Sequence, residues 1–174
     1  MNFYEKSGLP EFENLSRDDY TKVQLQKIVD KYKDNFQYSN GLCGMFSLAL
    51  VCYFSHNDVY VGLNVAHSNA TYYSPDHSFV SIGEYYMDHI ELSTDSEQFS
   101  LLEYGGNFEE DYDYAEYDID FGLEYEDFAN DISDFTNNML AMIELVDDFH
   151  KILQLNPVTE KQVTDLYEEV LGEW

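Results

Sequence analysis

The sequence predicts an α+β fold in which N-terminal helices precede a small antiparallel sheet and an acidic helical part follows it. Three observations carry this prediction. Apolar residues recur at helical spacing over residues 17–34, an apolar run fills 42–54, and strand-like composition follows over 58–92. A chain of 174 residues fits a single domain, so we predict that residues 1–174 form one unit.

The two N-terminal helices are expected to differ in character. In the segment 17–34, Val23, Ile28 and Tyr32 fall roughly on one face, and lysines near the end suit the negative pole of the helix dipole. The segment 42–54 is apolar on nearly all sides, which is typical of a buried helix. The first helix should therefore lie on the surface and the second in the core.

The strand signals begin after the second helix. The run "DVYVGLNVA" at 58–66 is rich in β-branched and aromatic residues. The run 77–92 indicates two strands joined by a tight turn at Gly83 and Glu84, and residues 99–105 are a further strand candidate. Strands this close in sequence favour antiparallel pairing, because only short loops separate them.

The chain after the sheet divides at two changes of pattern. We predict an α+β core over 1–105, an acidic-aromatic block over 106–127 and two helices over 128–174. The first of these helices has apolar residues every three or four positions. The last helix follows a possible capping box made by Thr159 and Gln162.

The charge of the chain excludes several classes of partner. Thirty-five Asp and Glu against eight Lys and Arg give a net charge of −27, and no Lys or Arg occurs between Lys33 and Lys151. Such a field repels phosphate backbones and anionic lipids, so we expect neither nucleic-acid nor membrane binding. Hydrophobic residues make up 44% of the chain and aromatic residues 17%, which is too apolar for a disordered acidic tail.

The cysteine content and the opening residues predict a cytoplasmic protein. Cys43 and Cys52 are nine residues apart on one predicted helix, which places them on opposite sides and disfavours a disulfide. Reduced thiols are typical of the cytosol. The opening residues 1–15 are mixed and charged, unlike a signal peptide, and the apolar run is too short to span a membrane.

Three residues have the types and the order of a thiol-based catalytic site. Cys43 stands in "NGLCGMFSLAL" at the start of the buried helix, where the helix dipole and free N–H groups stabilise a thiolate. His77 opens one predicted strand and Asp88 lies on the next, across the short hairpin. A nucleophilic thiol needs a base within hydrogen-bond reach and a group that orients this base.

In these motifs the sequence resembles the papain-like superfamily, over about residues 38–92. The segments that carry the resemblance are "CGMFSLAL" and "HSFVSIGEYYMD". The resemblance implies a cysteine hydrolase or amidase with Cys43 as nucleophile, His77 as base and Asp88 as orienter. Gln37 is the one candidate for a side-chain oxyanion donor before the cysteine. The remaining histidines lack metal-ligand spacing, so we predict no metal and no cofactor.

The acidic block offers a second kind of site. In "EEDYDYAEYDID" acidic and aromatic residues alternate with period two, so a strand there would present carboxylates on one face. Spaced carboxylates imitate the phosphate array of DNA, whereas the glycine and glutamate positions of a calcium loop are missing. The predicted partner-binding residues are Glu109, Glu110, Asp111, Asp113, Glu116, Asp118, Asp120, Glu124, Glu126, Asp127, Asp131 and Asp134.

Two functions of different classes follow from these patterns. In composition the whole chain resembles the DNA-mimic antirestriction and anti-CRISPR proteins of phages and mobile elements. The leading prediction is therefore an acidic inhibitor that occupies the basic surface of a DNA-processing or host-defence nuclease, in the cytosol of the host cell if a phage encodes it. The alternative is a cysteine-dependent hydrolase that uses Cys43, His77 and Asp88. The sequence leaves the oligomeric state open.

Overall fold

The computed structural model of the protein describes residues 17–35, 42–68, 77–94, 117–121 and 139–171. These residues form four helices and five strands, and the predicted α+β class is confirmed. In chain order the elements are α1 Arg17–Tyr32, α2 Cys43–Ser55, β1 Gly62–Ser68, β2 His77–Ile82, β3 Tyr85–Met87, β4 Leu92–Ser93, β5 Tyr117–Phe121, α3 Met139–Leu153 and α4 Glu160–Leu171. Within the described ranges, no helix has the length and apolar composition needed to cross a membrane.

The strands form one antiparallel sheet in the order β4-β3-β2-β1-β5. The predicted turn between β2 and β3 is confirmed, since Ile82 pairs with Tyr85 and two residues lie between them. Gly83 has a φ of 61°, which a residue with a Cβ adopts only at a cost. This short hairpin fixes the register of the strands that lead from His77 to Asp88.

Helix α2 occupies the centre of the core, as its apolar composition predicts. Every residue from Gly44 to Phe54 is buried. The helix packs against strand β2 on one side and helix α3 on another. A helix that is apolar all round has no face suited to water, so it is covered on all sides. The first residue of this central helix is Cys43.

The C-terminal helices close the core from the other side. Helix α3 buries one apolar stripe that includes Met142, Leu145 and Phe149, and α4 buries Val163 and Leu166. The predicted capping box before α4 is confirmed. The Thr159 N–H donates to Gln162 Oε1 at 2.9 Å, and the Gln162 N–H donates to Thr159 Oγ1 at 3.3 Å. Two orphan N–H groups at the helix start are satisfied in this way.

A polar link joins α1 to α3 at the surface. The carboxylate of Asp148 on α3 accepts hydrogen bonds from the ammonium of Lys31 and from the Tyr32 hydroxyl, the latter at 2.9 Å. Lys151, one turn away, donates to the same carboxylate at 3.0 Å. The three donors of this cluster lie on α1 and α3, and none of them lies on α2.

The structure differs from the sequence prediction at one strand start. Strand β1 begins at Gly62, not at residue 58. Asp58 has a φ of 55°, and the Val59 N–H donates to the Phe54 carbonyl, so the chain is still turning out of α2 there. The local end of the helix overrides the strand propensity of "DVYV". The strand predicted at 99–105 lies outside the described residues.

Candidate active site

Cys43 and Cys52 differ in their exposure and in their position on α2. Cys43 is partly exposed and is the first residue of α2, where the N–H groups of a helix lack intrahelical acceptors. Cys52 is buried, and burial raises the pKa of its thiol to about 12. Neither cysteine forms a disulfide. Because the thiolate is the reactive form, Cys52 is chemically inert near neutral pH.

His77 and Asp88 form a buried hydrogen-bonded pair behind this cysteine. His77 is the first residue of β2, and Asp88 directly follows the last residue of β3. The distance from His77 Nε2 to Asp88 Oδ2 is 2.7 Å, and each side chain is 1% exposed. A charge-assisted hydrogen bond of this length in a water-excluded site is strong and directional.

The turn after β3 holds the Asp88 carboxylate in place. Asp88 Oδ1 accepts hydrogen bonds from the N–H groups of Ile90 at 2.7 Å and Glu91 at 2.8 Å. The Asp88 N–H in turn donates to the Glu91 carbonyl at 3.2 Å. One carboxylate oxygen is therefore committed to the turn and the other to His77, which leaves the carboxylate little freedom to rotate.

The Cys43 thiol interacts with the same imidazole. Burial lowers the pKa of His77, but hydrogen bonds and charge interactions with Asp88 and Cys43 outweigh it, and the pKa is raised to about 9. Because Nε2 bonds to Asp88, Nδ1 is the ring nitrogen that remains for the thiol. His77 is therefore an imidazolium at neutral pH. One of its N–H groups bonds to the Asp88 carboxylate, and the other is left for the thiol of Cys43. The structure brings the three predicted residues together.

An aromatic side chain stacks on the imidazole of His77, and a second one packs against the first. Phe79 lies parallel to the imidazole, with ring centroids 6.3 Å apart and an interplanar angle of 18°. Tyr86 meets Phe79 edge-on at 6.3 Å. Phe79 is itself buried, so it closes one side of the imidazole to water. Stacked rings of this kind restrict the orientation of the histidine ring.

His89 is a neighbour of the site that the sequence prediction missed. Its ring is fully buried, and burial, assisted by the charge of His77, lowers its pKa to about 4 despite the opposing effect of Asp88. A sequence signal existed, because His89 directly follows Asp88. The lack of metal-ligand spacing says nothing about a buried neutral histidine, which does not need such spacing.

The predicted partner-binding surface falls mostly outside the described residues. Asp118 and Asp120 lie on β5, where their Cα partners on β1 are His67 and Val65. Gln37 and ten of the acidic residues lie outside the described ranges. Those ten are Glu109, Glu110, Asp111, Asp113, Glu116, Glu124, Glu126, Asp127, Asp131 and Asp134. Among the described side chains, no group of three His, Cys, Asp or Glu is placed to hold a metal ion.

No protein-family model, curated protein or solved structure matches this chain. The functional assignment therefore depends on the side chains themselves. His77 links the other two residues of the site. Its imidazole is hydrogen-bonded to Asp88 and interacts with the thiol of Cys43, the first residue of the central helix.

Proposed function

We propose that the protein is a cysteine-dependent hydrolase or amidase with Cys43 as nucleophile, His77 as base and Asp88 as the group that orients His77. The observation that carries this proposal is the pairing of a buried His77–Asp88 hydrogen bond of 2.7 Å with a partly exposed thiol that interacts with the same imidazole. The order of helix-borne cysteine, strand-borne histidine and aspartate also supports the resemblance to the papain-like superfamily.

The first half of the reaction forms an acyl-enzyme. The proton that His77 holds at neutral pH comes from the thiol, which gives an imidazolium–thiolate pair, and the Cys43 thiolate attacks the carbonyl carbon of an ester or amide. The carbonyl oxygen becomes an oxyanion, which the N–H groups at the start of α2 are suited to stabilise. The bond to the leaving group then breaks as the His77 imidazolium donates its proton to that group. A thioester on Cys43 remains.

The second half regenerates the thiol. His77 removes a proton from a water molecule, and the resulting hydroxide attacks the thioester carbon. The C–S bond breaks, the carboxylic acid leaves, and the imidazolium returns the proton to the sulfur. Asp88 keeps its negative charge throughout and stabilises the imidazolium at each stage. The burial of His77 and Asp88 strengthens these charge interactions, because water does not screen them.

A chromogenic ester tests the proposal without knowledge of the natural substrate. We expect p-nitrophenyl acetate to acetylate Cys43, giving a burst of p-nitrophenol of about one equivalent and one acetyl group per chain by intact mass. Cys43→Ala should abolish the burst. Cys52→Ala is the matched control and should retain it, because Cys52 is buried and un-ionised. A burst that survives Cys43→Ala would rule out this assignment of the nucleophile.

The charge of the chain supports a second candidate function of a different class. We propose as this alternative an acidic inhibitor that covers the basic, DNA-binding surface of a restriction or CRISPR nuclease in the cytosol. The specific observation is the net charge of −27 together with the lack of any Lys or Arg from residue 34 to residue 150. The two functions are compatible, since the thiol site and the acidic block occupy different segments.

The inhibitor candidate predicts a strong effect of the acidic block and none of the thiol. Replacing Glu109, Glu110, Asp111 and Asp113 by Gln or Asn should weaken binding to a DNA-cleaving nuclease severalfold or more, mainly through slower association. Cys43→Ala should leave the affinity unchanged. Binding should also weaken as salt rises, as surface plasmon resonance can measure. Binding of the chain itself to DNA at about 0.1 M salt would contradict the charge argument.

A further inference from the structure

His89 is a buried histidine beside the His77–Asp88 pair. Its ring is fully buried, and desolvating an imidazole is unfavourable unless a specific interaction offsets it. The ring meets Phe46 edge-on, with centroids 5.9 Å apart and an interplanar angle of 69°. His89 is also the residue after Asp88, within the turn that fixes the Asp88 carboxylate. It thus connects two parts of the site.

Phe46 belongs to the helix that carries the nucleophile. It lies three residues after Cys43, on the first turns of α2. Tyr32 and Phe149 hold it edge-on at 5.3 Å and 5.6 Å. A ring fixed by two aromatic neighbours is a rigid surface. The contact between His89 and Phe46 therefore joins the Asp88 turn to the first turn of the Cys43 helix.

The two histidines beside Asp88 have different charges at neutral pH. His77 keeps a proton up to about pH 9, whereas burial lowers the pKa of His89 to about 4. The charged groups that act on His89 are Asp88 and His77. A second imidazolium beside the carboxylate would repel the first and compete for its charge. An uncharged ring at position 89 leaves the charge of Asp88 to His77.

We propose that His89 is a positioning residue whose buried ring holds the Asp88 turn against the Cys43 helix, so that Asp88 stays aligned with His77. This inference rests on the proposed hydrolase function, because it assigns a role within that site. It deepens the function by extending the working site from three side chains to four. His89 itself need not touch a substrate or exchange a proton.

The test compares two substitutions with different geometry. His89→Phe keeps an uncharged ring against Phe46, so the NMR titration of His77 should stay near pH 9 and the rate of Cys43 alkylation should change by less than about twofold. His89→Ala removes the ring. The pKa of His77 should then fall by about one unit or more, and alkylation at pH 6 should slow about tenfold.

A substitution that creates a cavity elsewhere in the same core provides the control. Met142→Ala removes a fully buried side chain of α3, so it should destabilise the protein but leave the titration of His77 unchanged. If His89→Phe shifts the titration, or if a folded His89→Ala leaves it unchanged, the positioning role is wrong. Should His89→Ala fail to fold, the His89→Phe result alone decides. Slow alkylation of wild-type Cys43 would instead refute the hydrolase, while the His77 titration still reports on His89.

Discussion

Replacing His77 by Gln should slow the alkylation of Cys43 by iodoacetamide about tenfold or more at pH 6. An unassisted thiol with a pKa near 8.5 is only about 0.3% ionised at that pH, whereas a thiolate paired with an imidazolium is largely ionised. Part of this gain is lost, because a less basic thiolate is a weaker nucleophile. Glutamine keeps a polar side chain at the position but cannot accept and hold the thiol proton.

The pH dependence of the alkylation rate distinguishes a loss of thiol ionisation from a loss of access to the thiol. Above about pH 9.5 both the wild-type thiol and the His77→Gln thiol are ionised, so their rates should converge. A variant that merely blocked the thiol would stay slow at every pH. Alkylation rates measured by mass spectrometry in the Cys52→Ala background, at pH 6 and pH 9.5, provide both comparisons. Equal rates at pH 6 would show that His77 does not assist Cys43.

Asp88→Asn should lower the pKa of His77 from about 9 to below its ordinary value of 6.5. Burial, the largest single influence, lowers this pKa, and in the wild-type protein Asp88 opposes it. The turn also dictates how the new amide is oriented. The N–H groups of Ile90 and Glu91 require an acceptor, so the Asn oxygen faces the turn and the NH2 group faces His77.

That orientation of the amide fixes His77 in the tautomer that cannot act as a base towards the thiol. Its Nε2 must accept a hydrogen bond from the Asn NH2 group, so a neutral ring carries its proton on Nδ1, towards the thiol. Such a ring cannot take the thiol proton, and we expect acetylation of Cys43 by the ester to slow about a hundredfold or more. Because the raised pKa of His77 stabilises the fold below pH 6.5 and this contribution is lost as pH rises through about 9, Asp88→Asn should also flatten that pH dependence.

The control for this substitution is Asp148→Asn. Asp148 accepts hydrogen bonds from Lys31, Tyr32 and Lys151 at the α1–α3 surface, on elements other than those that carry Cys43, His77 and Asp88. Its replacement changes the net charge by the same amount as Asp88→Asn. NMR titration of His77 should therefore show a midpoint near pH 9 in Asp148→Asn and below 6.5 in Asp88→Asn. A common shift in both variants would mean that overall charge, not the specific pair, controls His77.

The features that the sequence predicted well are those that depend on local pattern. The apolar run that became α2, the turn at Gly83 and the capping box of Thr159 and Gln162 each involve residues close together in the chain. The grouping of Cys43, His77 and Asp88 was expected from the resemblance to the papain-like superfamily, and the short β2–β3 hairpin accounts for the nearness of His77 and Asp88. In the helix, the turn and the capping box, the backbone geometry follows from a few neighbouring residues.

The features that were missed depend on contacts between distant segments or on competition between signals. The strand propensity of residues 58–61 was overridden by the end of α2, where the Val59 N–H bonds to Phe54. The position of His89 against Phe46 joins residues 43 apart in sequence, and no periodicity encodes it. The net charge of −27 favoured the inhibitor, but a net charge does not show where on the molecule a site lies. The hydrolase proposal depends instead on a hydrogen bond between two named side chains, His77 and Asp88.

The measurement that tests the central proposal most directly is the rate of Cys43 alkylation as a function of pH in the wild-type protein. A thiolate–imidazolium pair gives two steps. The rate rises to a plateau well below pH 7 as the pair forms, and rises again near pH 9 as His77 loses its proton and the thiolate becomes more nucleophilic. A single rise with a midpoint near pH 8.5, as for a free cysteine, would contradict the assignment of Cys43, His77 and Asp88 as a catalytic site.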